Sequence, residues 1–219
     1  MPEKLSKYKF KRLATEALRN AIRLHFDSIL LFKNKSYPTA LQIGIIAIEE
    51  IAKADWVGHY YYSSITNIGF PDREFEQEFL LMLYSHPKKQ YSFLARELFS
   101  FSPKFVEFVK KGRFELLKQK ATYVGLERIK GEINVNSRIS IPYKIKESEA
   151  KKIISLLNYT LVEICDLKLK QDSFFDIEEM DKVLDEKLLL ELKKWKFKTT
   201  IKHEKWRHQW YKSPQSQTS

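Results

Sequence analysis

The 219-residue sequence is poor in the residues that build cross-links, sharp turns and metal cages, with one cysteine, six glycines and seven prolines. A single thiol, Cys165, excludes an internal disulfide framework and any cysteine-rich zinc site. So little glycine and proline, beside 43% hydrophobic residues, excludes a collagen-like or wholly disordered chain. The sequence has no glycine-rich phosphate loop, no GxSxG and no HExxH. Its five histidines (His25, His59, His86, His203 and His208) lack metal-ligand spacing, so neither a metal nor a cofactor is expected. Long apolar runs are missing too. The most apolar stretch, Ala40 to Ile48, is interrupted by Gln42 and closed by Glu49 and Glu50, whereas a bilayer span needs about 20 apolar residues. The first twelve residues are charged and do not read as a secretory signal, and the expectation is a cytoplasmic protein away from membranes.

What the chain has is positive charge, unevenly placed. Of the formal +11, residues 1–12 carry +4 and residues 193–212 carry +7, while residues 13–192 hold equal numbers of each sign. This predicts a basic N-terminal arm over 1–12, one neutral domain over 13–192, a basic aromatic extension over 193–212 and a disordered tail over 213–219. The domain has a helical period, with apolar residues three or four apart from Phe10 to Phe32. Further helices are expected over about 38–61 with Ser36 as its cap, 72–84, 87–100, 103–120, 149–170 and 176–196. Residues 129–146 change character, and Ile133, Val135, Ile139 and Ile141 around Asn136-Ser137 suggest a small hairpin or ordered loop. The fold class is an all-α antiparallel bundle with that one insertion.

Three constellations could carry chemistry. Asn20 lies on the first apolar helix, and Glu49, Glu50 and Lys53 lie on the second. Buried carboxylates need partners. Glu49 and Lys53 have the order of an i, i+4 pair, and Glu50 is expected to reach Asn20. They form either a structural polar clasp or part of an active site or dimer seam. The second is Ser85-His86-Pro87-Lys88-Lys89, where a helix start puts His86 and Lys89 on one side of the first turn. Such a cluster binds phosphate and can move a proton near pH 7, or is simply a solvent-facing helix start. The third is the basic extension, with Lys193, Lys194, Trp195, Lys198, Lys202, Trp206, Arg207 and Trp210. Cations with interleaved aromatic rings suit RNA or single-stranded DNA, and the competing reading is that the rings dock on the bundle.

Three stretches resemble one family in order and spacing. ALRNAIRLHFDSILLFKNKSYPTALQIGIIAIEEIAKA (17–54) is similar to the two N-terminal helices of AbiV, an abortive-infection family of the HEPN superfamily. FLLMLYSHPKKQ (79–90) and ATYVGLERIKGEINVNSRISIP (121–142) resemble that family's His-x-x-Lys stretch and its Tyr-centred segment. The resemblance covers roughly residues 12–165. It implies a HEPN-like helical bundle, a homodimer and a role in defence against phage. Many HEPN proteins are metal-independent ribonucleases with Arg, four to six residues, then His at the dimer seam. Here that spacing occurs only from Arg19 to His25, so Lys89 would supply the charge beside His86, with Glu50 and Asn20 organising the site. The expectation is an effector that binds RNA or a ribosome-associated target and acts as a ribonuclease. The alternative is a non-catalytic HEPN module that sequesters its target under control of a phage-encoded activator or cognate inhibitor.

Overall fold

The computed structural model describes residues 5–66, 73–95, 97–129, 131–171, 173–175 and 177–206. Two long helices set the frame, α1 (Lys7–Lys33) and α2 (Tyr37–Thr66). The Ser6 side chain caps α1 by accepting from the Lys9 amide, and Lys7, Lys9, Lys11 and Arg12 are helical residues rather than part of a separate arm. The turn between the helices places Lys35 at φ +62°, and the Ser36 carbonyl accepts from the Ala40 amide, so α2 starts where the sequence predicts. A connection this short makes the helices antiparallel neighbours.

Then follow α3 (Arg73–Met82), α4 (His86–Ala95), α5 (Pro103–Lys110), α6 (Arg113–Thr122) and α7 (Glu147–Gln171), with the short α8 (Glu178–Asp181) and α9 (Glu186–Leu192). α2 is the central helix, packed by α1, α4, α6 and α7. Ala40, Leu41, Ile45, Ala47 and Ile48 are fully enclosed within it, as expected of a helix apolar nearly all round. At Gly44 the backbone of α2 meets α7 so closely that a Cβ would lie 3.3 Å from Ile153 Cγ2.

Three expected helices are each divided, and of the span 87–100 the α-helix ends at Ala95, with a separate 3-10 turn at Leu98–Ser100. The span 103–120 breaks at Gly112, whose φ of +68° suits a residue without a Cβ. The span 176–196 breaks before Asp185, whose carboxylate caps α9 by accepting from the Leu188 amide at 2.7 Å. The insertion contains a two-stranded antiparallel ribbon, β1 (Arg128–Ile129) with β2 (Glu132–Ile133). It turns through Gly131 at φ +92°, not around Asn136-Ser137. Asn134 Oδ1 instead accepts from the Asn136 amide, and Gly125 and Ser140 bridge the base of the loop.

The C-terminal segment 193–206 packs on the bundle. Trp195 donates from Nε1 to Ser155 Oγ at 3.0 Å and meets Phe32 edge-on at 5.3 Å. Ile201 is buried, its carbonyl accepts from the Ser102 amide, and Lys202 bridges to Phe101. This segment continues the domain expected to end at residue 192. Arg207, Trp210, the tail 213–219 and the first four residues of the expected arm lie outside the described residues. Among the described residues, no helix is long and apolar enough to cross a membrane.

Candidate active site

Successive residues of an α-helix point about 100° apart, so Glu49 and Glu50 of α2 address different neighbours. Glu50 faces α1, where Asn20 Nδ2 donates to Glu50 Oε2 at 3.0 Å. Lys53 pairs with Glu50 at 2.5 Å, not with Glu49 as the i, i+4 order suggests. Arg23, which the sequence did not single out, extends this line by donating to Asn20 Oδ1 at 2.9 Å and to Asp27 at 2.7 Å.

Glu49 faces α4 and α6 and is only 2% exposed. Its Oε2 accepts from His86 Nδ1 at 2.5 Å, and its Oε1 accepts from Gln90 Nε2 at 2.8 Å and from Lys118 Nζ at 2.9 Å. Three donors around one enclosed carboxylate are what burial of that charge requires. Lys118 and Gln90 also bond to Glu115, at 2.8 and 2.9 Å, which ties the two carboxylates into one network. Burial works to raise the Glu115 pKa, but the hydrogen bond and charge of Lys118, with Gln119 and Gln90, outweigh it and hold Glu115 below the ordinary carboxylate range.

Glu49 fixes His86 through Nδ1, so the neutral ring leaves the Nε2 lone pair free, and Nε2 has no partner among the described residues. The His86 side chain is 53% exposed. It opens on a cleft of about 550 Å³ whose walls include Lys118, Lys120, Tyr123, Arg128 and Ser140. A histidine oriented by a buried carboxylate and facing a cleft can take up and return a proton.

Lys89 does not join it there. Its residue is 6% exposed and makes no ion pair among the described residues. Burial lowers its pKa, opposed by Glu49 and reinforced by Lys53. The cation on the cleft wall beside His86 is Lys118, on α6. The four residues expected in one site are therefore separated, with His86 at the cleft, Lys89 enclosed, and Asn20 and Glu50 paired on the α1–α2 side. Sequence reasoning missed Lys118, Glu115 and Gln90. The one local signal was the i, i+3 placement of Glu115 and Lys118 on one helix face.

The Arg19–His25 spacing does not form a site. Arg19 pairs with Glu16 at the surface, whereas His25 is fully enclosed, with Nε2 2.9 Å from Asn158 Oδ1. Cys165 is a core residue whose thiol pKa burial pushes up to about 12. Of the basic extension, Lys193 and Lys198 are exposed, and Lys194 pairs with Glu191 at 2.5 Å. Lys202 is 3% exposed and is held by Glu163 and, at 3.0 Å, by Glu97. Trp195 is occupied by Ser155 and Phe32, and Trp206 is half-buried, so these side chains do not form an open row of cations and rings. Among the described residues, no group of three or more His, Cys, Asp or Glu could hold a metal ion.

Residues 9–163 match the family model HEPN_AbiV, described as AbiV. No curated protein and no solved structure matches the chain.

Proposed function

This chain belongs to the AbiV family of HEPN abortive-infection proteins, which act in defence against phage, and we propose that it does so by cleaving RNA at the His86 cleft. The observation that carries this reading is the His86–Glu49 pair opening on a cleft with cationic walls. Glu49 accepts the Nδ1 proton and presents His86 Nε2 as a base. Nε2 takes the proton of a ribose 2′-hydroxyl, the 2′-oxygen attacks the adjacent phosphorus, and the bond to the 5′-oxygen breaks as that oxygen gains a proton. The products are a 2′,3′-cyclic phosphate and a 5′-hydroxyl. Lys118, held in place by Glu49 and Glu115, stabilises the charge that gathers on the phosphate oxygens, the part sequence reasoning gave to Lys89. A second copy of the chain supplies the acid for the leaving oxygen, its own protonated His86. Asn20 and Glu50 hold α1 against α2, and Lys53 pairs with Glu50 along α2.

Exposed Lys193 and Lys198 add general attraction for phosphate at some distance from the chemistry. The test is total RNA from cells expressing the chain. Wild type should arrest growth and yield defined fragments, and His86→Ala should leave the RNA intact. Intact RNA with halted translation in wild-type cells would instead support the non-catalytic module acting by sequestration.

A further inference from the structure

A second cavity, of about 770 Å³, lies between α5, α6, α7 and the C-terminal segment. It shares no lining residue with the His86 cleft. Its walls are apolar, formed by Phe105, Phe108, Ile153 and Ile201 with the ring of Trp206. Its polar lining includes three lysines, Lys104 on α5, Lys152 on α7 and Lys205 beside Trp206. None of the three has a carboxylate partner among the described residues. The Lys205 ammonium lies 4.9 Å from the centre of the Trp206 ring. One carboxylate, Glu149, lines the same cavity and accepts from the Lys146 amide. The lining therefore carries a net charge of about +2 over an apolar interior, from its three lysines and one glutamate.

A further feature separates this cavity from an ordinary packing gap. The indole N–H of Trp206 is buried and has no acceptor among the described residues. Buried polar groups are almost always hydrogen-bonded, so this donor calls for an acceptor that the described residues do not supply. Ligand sites have this composition, an apolar body of about 300–1,000 Å³ with a few polar groups that fix orientation.

We infer that this cavity binds a soluble amphipathic anion, an acyl chain ending in a carboxylate, with the chain between Phe105, Phe108 and Ile153 and the carboxylate among Lys104, Lys152 and Lys205. Apolar walls reward each methylene of such a chain, and the lysines select the charged head over an uncharged one. The inference is independent of the RNA-cleavage reading, and its test needs no activity.

The test is isothermal titration of the full chain with decanoate below its micellar concentration, with octanoate, with decanol, and with vesicles of phosphatidylglycerol. Decanoate should bind saturably at one site and up to about 15-fold more tightly than octanoate, since each methylene is worth about fourfold. Decanol should bind more weakly than decanoate. A Lys152→Gln/Lys205→Gln variant, altered at exposed positions, should keep its thermal midpoint and lose about fivefold or more in decanoate affinity while decanol is unaffected. Absence of saturable binding, equal affinity for decanol and decanoate, or an unchanged affinity in the double variant would overturn the inference. Binding confined to the vesicles would overturn it as well, because the occupant would then be a membrane surface.

Discussion

Replacing Glu49 tests both the packing of the site and its chemistry. The carboxylate is 2% exposed and receives hydrogen bonds from His86, Gln90 and Lys118. In Glu49→Leu those donors face a hydrocarbon, and Lys118 keeps only Glu115. Removing one partner of a buried charge pair costs about 3–5 kcal/mol. For a chain of this size, each kcal/mol lowers the thermal midpoint by about 2–4 °C, so a fall of about 6–20 °C is expected. Glu49→Gln keeps the shape and one acceptor oxygen. Hydrogen bonds to charged groups are worth about 1.5–3 kcal/mol and neutral ones about 0.5–1.5, so exchanging two of the former for the latter costs about 2 kcal/mol. The chemical effect differs in kind. An amide N–H facing His86 Nδ1 favours the tautomer with the proton on Nε2, which then presents a donor to the cleft and no longer a base. Urea unfolding followed by circular dichroism measures the stability of both variants, with the slope against denaturant required to stay constant. A Glu49→Leu variant within about 0.5 kcal/mol of wild type, the range of an ordinary surface change, would refute the account of this network.

Two further predictions concern other parts of the fold. Burial lowers the His25 pKa to about 4 from 6.5, only partly opposed by its hydrogen bond to Asn158. The folded state thus binds fewer protons than the unfolded one, and stability present above about pH 6.5 is lost as pH falls through about 4, at no more than about 1.4 kcal/mol per pH unit. His25→Gln should flatten that slope, and unfolding free energies between pH 7 and 4 with the wild-type slope would contradict it. For the C-terminal segment, changing Lys193 and Lys198 to Gln should weaken RNA binding and reduce its salt dependence by up to about two phosphate contacts. Trp195→Phe, which loses the bond to Ser155, should lower the thermal midpoint and leave the salt slope unchanged. The reverse pattern in the binding isotherms would mean that Trp195 leaves its place on the bundle to meet RNA.

The helices were legible because apolar spacing and caps are local, and Ser36, Ser102 and the early prolines stand where helices begin. The breaks at Gly112 and Asp185 were harder to read, since the apolar period runs on through both while backbone conformation and a capping carboxylate stop the helix. The turn at Gly131 was missed because Asn136-Ser137 is also a good turn sequence, and only the pairing of Arg128 with Ile133 decides between them. Within the site, Asn20–Glu50 followed from two adjacent helices joined by a tight turn. Lys118 did not, because it reaches Glu49 directly across 69 positions, while the local i, i+3 spacing connects it only to Glu115. Lys89 shares the first turn of α4 with His86, yet one side chain is enclosed and the other opens on the cleft.

The most direct measurement of the account is the end chemistry of a single-stranded RNA incubated with the purified chain in the presence of a chelator. Wild type should give fragments ending in 2′,3′-cyclic phosphate and 5′-hydroxyl, and His86→Ala none at equal folded concentration. Identical fragments from both proteins, or none from either, would contradict the assignment of His86 as the residue that cleaves RNA.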